Sequence, residues 1–134
     1  MIAAFPLMVI PFVLYNLAMV GLMGGGGIAA LGNDLIMLSM LSGATWKMAL
    51  GDLFIVIALA LLFFEILKST RNVGSLANHM LSMLVFIAFL VEFLLVRDAA
   101  TQIFFILMTT AFIDVIGGFA VSIRTAGRDV SIGL

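Results

Sequence analysis

The 134-residue chain has no cysteine, one histidine, two prolines and charged side chains at only 10% of its positions. Each scarcity removes a class of chemistry. Without cysteine there is no disulfide, no thiolate nucleophile, no thiolate zinc site and no iron–sulfur cluster. His79 is the single histidine, so one chain cannot build a bis-histidine haem site or a three-histidine metal site. Ten methionines read as adaptable packing rather than axial ligands. No cofactor and no metal is expected. Six basic and seven acidic residues nearly cancel, and they form no polybasic stripe, so nucleic acid is not an expected partner.

Apolar sequence is what the chain has in excess. Hydrophobic residues make up 65% of it and the mean hydropathy is +1.36, whereas a soluble domain is roughly half apolar and a quarter charged. So short a chain lacks the polar surface to cover that much apolar sequence, so lipid must act as solvent for most of the outside. The expected fold is an all-α integral membrane four-helix bundle, residues 1–134 forming one transmembrane domain whose first partner is the lipid bilayer. The opening "MIAAFPLMVIPFVLYNLAMVGLM" lacks the basic n-region of a cleavable signal and runs too long for an h-region. It reads as a retained first membrane helix.

Crossing the hydrocarbon takes about 20 predominantly apolar residues. Four stretches qualify, roughly 2–23, 48–67, 76–96 and 102–123. "KSTRN" and "RDAAT" are the short breaks between the last three, which predicts an antiparallel series. The connection between the first and second helices differs. Gly24 to Gly27 cost too much backbone entropy for a helix interior. Asn33 or Asp34 then reads as an N-cap for Leu35, Ile36, Leu38 and Leu41, predicting a short interfacial helix over about 34–45 closed by Trp46 and Lys47. The rival reading, a fifth span over 28–45, has to bury Asn33 and Asp34 near one end. Basic residues set the orientation: Lys68, Arg71, Arg124 and Arg128 lie on one side, Lys47 and Arg97 on the other. The positive-inside rule puts the first group, and both termini, in the cytoplasm of a bacterial inner-membrane protein. No internal repeat marks an inverted-repeat transporter.

Few polar residues fall inside the spans, and each has a plain reading beside a functional one. Asp114 lies close to the centre of the fourth span, where a charged side chain costs about 2.5–3.5 kcal/mol on insertion scales. It is either a hydrogen-bonded latch between helices or a proton or cation site. Matching depths at 1.5 Å per residue nominates Tyr15 and Asn16 of the first helix as its partners, making it a latch between helices one and four. Glu92 near the outer end of the third helix is expected to snorkel to the interface, with Arg97 and Asp98 nearby. Glu65 and Lys68, three apart, share a face and can pair. Asp52 meets the N-terminus of the second helix. Gly117 and Gly118 thin the fourth helix for a close neighbour, in this chain or another. His79 with Ser82 at i+3 is the one pair at a spacing suited to intramembrane nucleophilic chemistry, and such a pair arises readily by chance.

With no soluble domain and no catalytic constellation, the expected function is non-enzymatic. The chain reads as an accessory or structural subunit of a larger inner-membrane complex, packing on other integral membrane subunits or on itself. The alternative is a small oligomeric proton-coupled transporter or channel using Asp114. Four helices of this length suit a minimal multidrug-type exporter, but that family carries its glutamate in the first helix, and here the first helix has no acid.

From "GDLFIVIALALLFFEILKSTRN" onward, and again in the tail "SIRTAGRDVSIGL", the sequence resembles the small uncharacterised four-helix inner-membrane proteins of alphaproteobacteria. That resemblance implies no functional residues. The polar tail with Arg124, Arg128 and Asp129 reads as a cytoplasmic end that docks a partner.

Overall fold

A computed structural model describes residues 5–24, 26–71 and 76–131, without the side chains of 76, 122 and 124–131. The tail residues Arg124, Arg128 and Asp129 therefore have no described side chains. The elements run α1 (Val9–Met19), a 3₁₀ turn (Gly27–Gly32), β1 (Asp34–Ser39), β2 (Thr45–Ala49), α2 (Leu50–Arg71), α3 (Leu76–Leu95), a short 3₁₀ turn (Arg97–Ala99) and α4 (Gln102–Ser131). The chain is mostly helical, and among the described residues three helices are long and apolar enough to cross a membrane: Leu50–Arg71, Ala77–Leu95 and Gln102–Val121.

Two features depart from expectation. The first apolar stretch, read as one span over 2–23, contains an 11-residue helix, about 16 Å long at 1.5 Å per residue. Pro6 lies outside it, and the entry is made by tight bonds from Val9 N–H to Pro6 O and Ile10 N–H to Leu7 O. Pro11 sits in the first turn, where no N–H is needed. Gly21, at φ 88°, stops the helix in the left-handed conformation that favours glycine, three residues before the tetraglycine run.

The second departure is the segment 34–45, which is not an interfacial helix. β1 and β2 pair antiparallel as a two-stranded ribbon. Gly43 turns the chain at φ 92°, with bonds from Gly43 N–H to Met40 O and from Met40 N–H to Ala44 O. A glycine held there would break a helix, whereas the flanking Ile36, Thr45 and Trp46 favour a pleated surface. Asp52, in the first turn of α2, accepts the Ala49 N–H at 3.1 Å and so caps that helix, as its place in the sequence suggests.

α4 is the central helix: 44% of its most apolar stretch is buried, against 22% for α2 and 17% for α3. It runs parallel to α2, with Ile103 against Gly51 and Gly117 against Ile66. It runs antiparallel to α3, through Phe105 on Phe93, Phe112 on Phe86 and Phe119 on His79. Small side chains permit this approach, since Gly51 and Ala58 of α2 are buried, as is Ala111 of α4. α2 therefore takes α4, not its sequence neighbour α3, as its main partner. α1 packs on the bundle near the α3–α4 turn through an aromatic cluster centred on Phe104, with Tyr15 at 4.9 Å, Phe89 at 5.3 Å and Phe93 at 6.2 Å between ring centroids.

Candidate functional site: buried polar groups between the helices

The polar residues gather at two levels. At the end where α1 begins, Glu65 of α2 is 1% exposed. Its Oε1 accepts the Leu7 N–H at 2.7 Å and the Lys68 ammonium at 2.9 Å. Lys68 also donates to the Phe5 carbonyl at 2.5 Å. The pairing of Glu65 with Lys68 follows from their i,i+3 spacing, but its purpose does not. Residues 5–7 lie outside any helix, and the pair supplies an acceptor to the Leu7 N–H and a donor to the Phe5 carbonyl. Pro6 was the available signal, because a proline disfavours helical conformation in the residue before it.

One layer deeper, Asp114 of α4 is 4% exposed. Its carboxyl is within hydrogen-bonding reach of Ser82 on α3 and within electrostatic reach of Glu65 and Lys68 on α2. Its Oδ2 has no hydrogen-bond partner among the described residues. Beside it, His79 is buried and stacks on Phe119 at 5.0 Å and 16°. Ser69 donates to the Glu65 carbonyl at 3.2 Å and Thr110 to the Ile106 carbonyl at 2.9 Å. Buried Asn78 and Ser82 complete the layer.

Gly118 faces this layer. A Cβ there would meet His79 Nδ1 at 3.2 Å and Ser69 Oγ at 3.4 Å, whereas at Gly117 it would meet the Ile66 side chain at 3.7 Å and 3.9 Å. Both glycines thus face helices of their own chain. Gly117→Ala is expected to be tolerated and to gain up to about 1 kcal/mol of helix propensity. Gly118→Val, which drives a branched side chain into the imidazole, is expected to cost about 1–3 kcal/mol. Thermal midpoints of the two variants in the same detergent check the ordering, and equal midpoints would contradict it.

At the other level the expected latch between helices one and four is corrected. Tyr15 and Asn16 do not reach Asp114. The Tyr15 hydroxyl donates to the Asp98 carbonyl at 2.7 Å and pairs with the Thr101 hydroxyl at 2.8 Å. Thr101 Oγ1 accepts the Phe104 N–H at 3.2 Å and so caps α4. Asn16 donates to the Phe12 carbonyl at 2.9 Å and to Glu92 Oε2 at 3.2 Å. Glu92 is therefore tied to α1 by an amide, and its Oε1 has no partner among the described residues. The first helix is not a full span, so matching depths along it does not identify its partners. As an 11-residue helix, α1 presents both polar groups to the α3–α4 corner instead.

Chemically, the deeper layer is a group of buried polar side chains around the Asp114 carboxyl. Among the described residues, no three His, Cys, Asp or Glu side chains gather closely enough to hold a metal ion. No protein-family model matches the chain, and no curated protein or solved structure matches it either.

Proposed function

We propose that the chain is a multi-pass protein of the bacterial inner membrane and serves as a non-enzymatic structural subunit of a larger membrane assembly. Three helices of spanning length support the membrane placement. So do the apolar side chains they turn outward: Val56, Leu59 and Phe63 on α2, Leu84, Ile87 and Val91 on α3, Phe112 and Ile116 on α4. In a membrane such faces meet lipid or the helices of other subunits. Phe5 meets Lys68 at the end of the bundle where α2 finishes and α4 continues past Gly118. Phe5 and the C-terminal half of α4 share the side carrying Lys68 and Arg71, and the positive-inside rule assigns that side to the cytoplasm.

One observation favours a structural role over transport. A carrier presents its intramembrane carboxyl to an aqueous path, whereas Asp114 is enclosed by α2, α3 and α4 at 4% exposure. The direct test is extraction of the tagged native protein in mild detergent, followed by native electrophoresis and mass spectrometry. Stoichiometric co-migration with other membrane proteins is expected. Migration alone, as a monomer or small homo-oligomer, would overturn the subunit reading.

A second reading, a small oligomeric proton-coupled carrier, is favoured by the unpartnered Oδ2 of Asp114. Asp114→Asn separates the two. An amide keeps the shape and stays within reach of Ser82, so the structural reading expects unchanged extraction and mobility, with stability within about 1 kcal/mol of the parent. Loss of a proton-coupled flux in vesicles, with assembly intact, would instead establish the carrier.

A further inference from the structure

The β1–β2 ribbon belongs to neither polar layer. Its register pairs Ile36 with Met48, Met37 with Lys47, Leu38 with Trp46 and Ser39 with Thr45. Cross-strand partners share a face, so Ile36, Leu38, Trp46 and Met48 make one side and Met37, Ser39, Thr45 and Lys47 the other. Strict alternation along β1 would put Asp34 with Ile36 and Leu38 on the apolar side. The irregularity between Asp34 and Ile36 prevents this, because an extra residue in one strand flips the faces beyond it. Asp34 consequently pairs with Ala49 and lies on the polar side, where its Oδ2 is 3.8 Å from the Lys47 ammonium. The bulge makes the ribbon amphipathic.

The chain leaves the apolar side uncovered. Ile36 is 43% exposed, Leu38 51% and Trp46 42%. An isolated two-stranded ribbon is marginal in water even without such a face. We propose that this face lies on the lipid surface, in the outer interfacial zone of the bilayer, with Lys47 and Asp34 turned to water.

Placement and size point to lipid. β2 passes into α2 without an intervening residue, and the Leu50 N–H donates to the Asn33 carbonyl at 3.0 Å. Both strands are therefore rooted where a helix of spanning length begins. Trp46 and Lys47 are adjacent but on opposite faces, aromatic to the apolar side and cation to the polar side. Tryptophan is the aromatic found most characteristically at the headgroup level. Strands about 4.8 Å apart and five residues long at about 3.4 Å each present a face of roughly 160 Å². That is well short of the ~800 Å² per partner of a stable protein–protein interface. It suffices for an interfacial anchor, whose binding scales with whatever apolar area enters the headgroup boundary.

The proposal rests on the membrane placement argued above, and the test keeps the two apart. Trp46 is the chain's only tryptophan, so its emission reports on the ribbon alone. The full-length protein is reconstituted into phosphatidylcholine vesicles whose acyl chains are brominated either near the glycerol or near the chain ends. Flotation in a sucrose gradient first reports membrane placement. Protein that stays at the bottom refutes that placement, and the ribbon proposal with it. For floating protein, bromines near the glycerol are expected to quench Trp46 emission by roughly half, and more than bromines at the chain ends, as for a headgroup-level aromatic. Leu38→Lys, on the apolar side, should relieve the quenching, and Thr45→Lys, on the polar side, should not. Floating protein whose Trp46 ignores brominated lipid and is quenched by aqueous iodide overturns the proposal. So does emission that depends on the protein-to-lipid ratio in unbrominated vesicles, which would mean that a second copy covers the face.

Discussion

Replacing Glu65 by leucine is expected to remove about 3–5 kcal/mol of stability, the usual cost of leaving one member of a buried ion pair without its partner. The substitution orphans the Leu7 N–H and leaves the Lys68 ammonium with the Phe5 carbonyl but no carboxylate. A backbone N–H without a partner at this depth adds its own desolvation cost. Glu65→Gln is the informative companion. Its amide oxygen still accepts from Leu7, so it should lose clearly less than leucine does. Thermal loss of the monodisperse peak in size-exclusion chromatography, in one detergent, measures both. Midpoints for Glu65→Leu and the parent that coincide would mean that the clamp on residues 5–7 contributes nothing to the fold. A glutamine variant as damaged as the leucine one would mean that charge, not the hydrogen bond to Leu7, holds the segment.

Phe104→Ala should be the next most damaging change, at about 3 kcal/mol, the lower end of the range for a buried phenylalanine. Phe104 is fully buried and touches the rings of Tyr15, Phe89 and Phe93, which come from α1 and α3. The lower end applies because, in the proposed lipid setting, exposing an apolar side chain costs little and the loss is one of packing. The effect should be specific to α1. Once the Tyr15 ring loses its contact, its hydroxyl bonds to Asp98 and Thr101 are held less firmly, and protease access to residues 20–24 should rise before the helical signal falls. Simultaneous loss of both signals would show that the aromatic cluster holds the whole bundle rather than docking α1.

Several features were legible residue by residue. The long apolar runs mark α2, α3 and α4, because a helix that satisfies its own backbone and is apolar all round is the local solution for such a run. The Glu65–Lys68 pair and the capping role of Asp52 were legible for a similar reason. Each depends on positions three or four apart along one helix, a distance the sequence itself sets.

The short segments were not legible in this way. Leu35, Ile36, Leu38 and Leu41 fit a helical face as well as they fit strands, and Gly43 at the turn was the discriminating residue. The amphipathic character of the ribbon depends on a bulge at Leu35 that no alternation in the sequence announces. The first apolar stretch has the composition of a span, yet its helix stops at Gly21, and that length decided which polar groups meet. Asn16 took Glu92, Tyr15 took the α3–α4 corner, and Asp114 was left with Ser82.

By itself, the sequence determined the periodic and compositional properties: the long apolar runs of α2, α3 and α4, the lack of any thiol or multi-histidine chemistry, and the pairs within one helix. The tertiary structure alone decided that α4 is central, that Gly118 must be small to admit His79, and that Glu65 serves the backbone of residues 5–7. The division follows from range. Local geometry is written into spacing along the chain, whereas a contact between helices depends on crossing position and axial register. Those are set by the sum of many small packing terms, none of which is visible in any one residue.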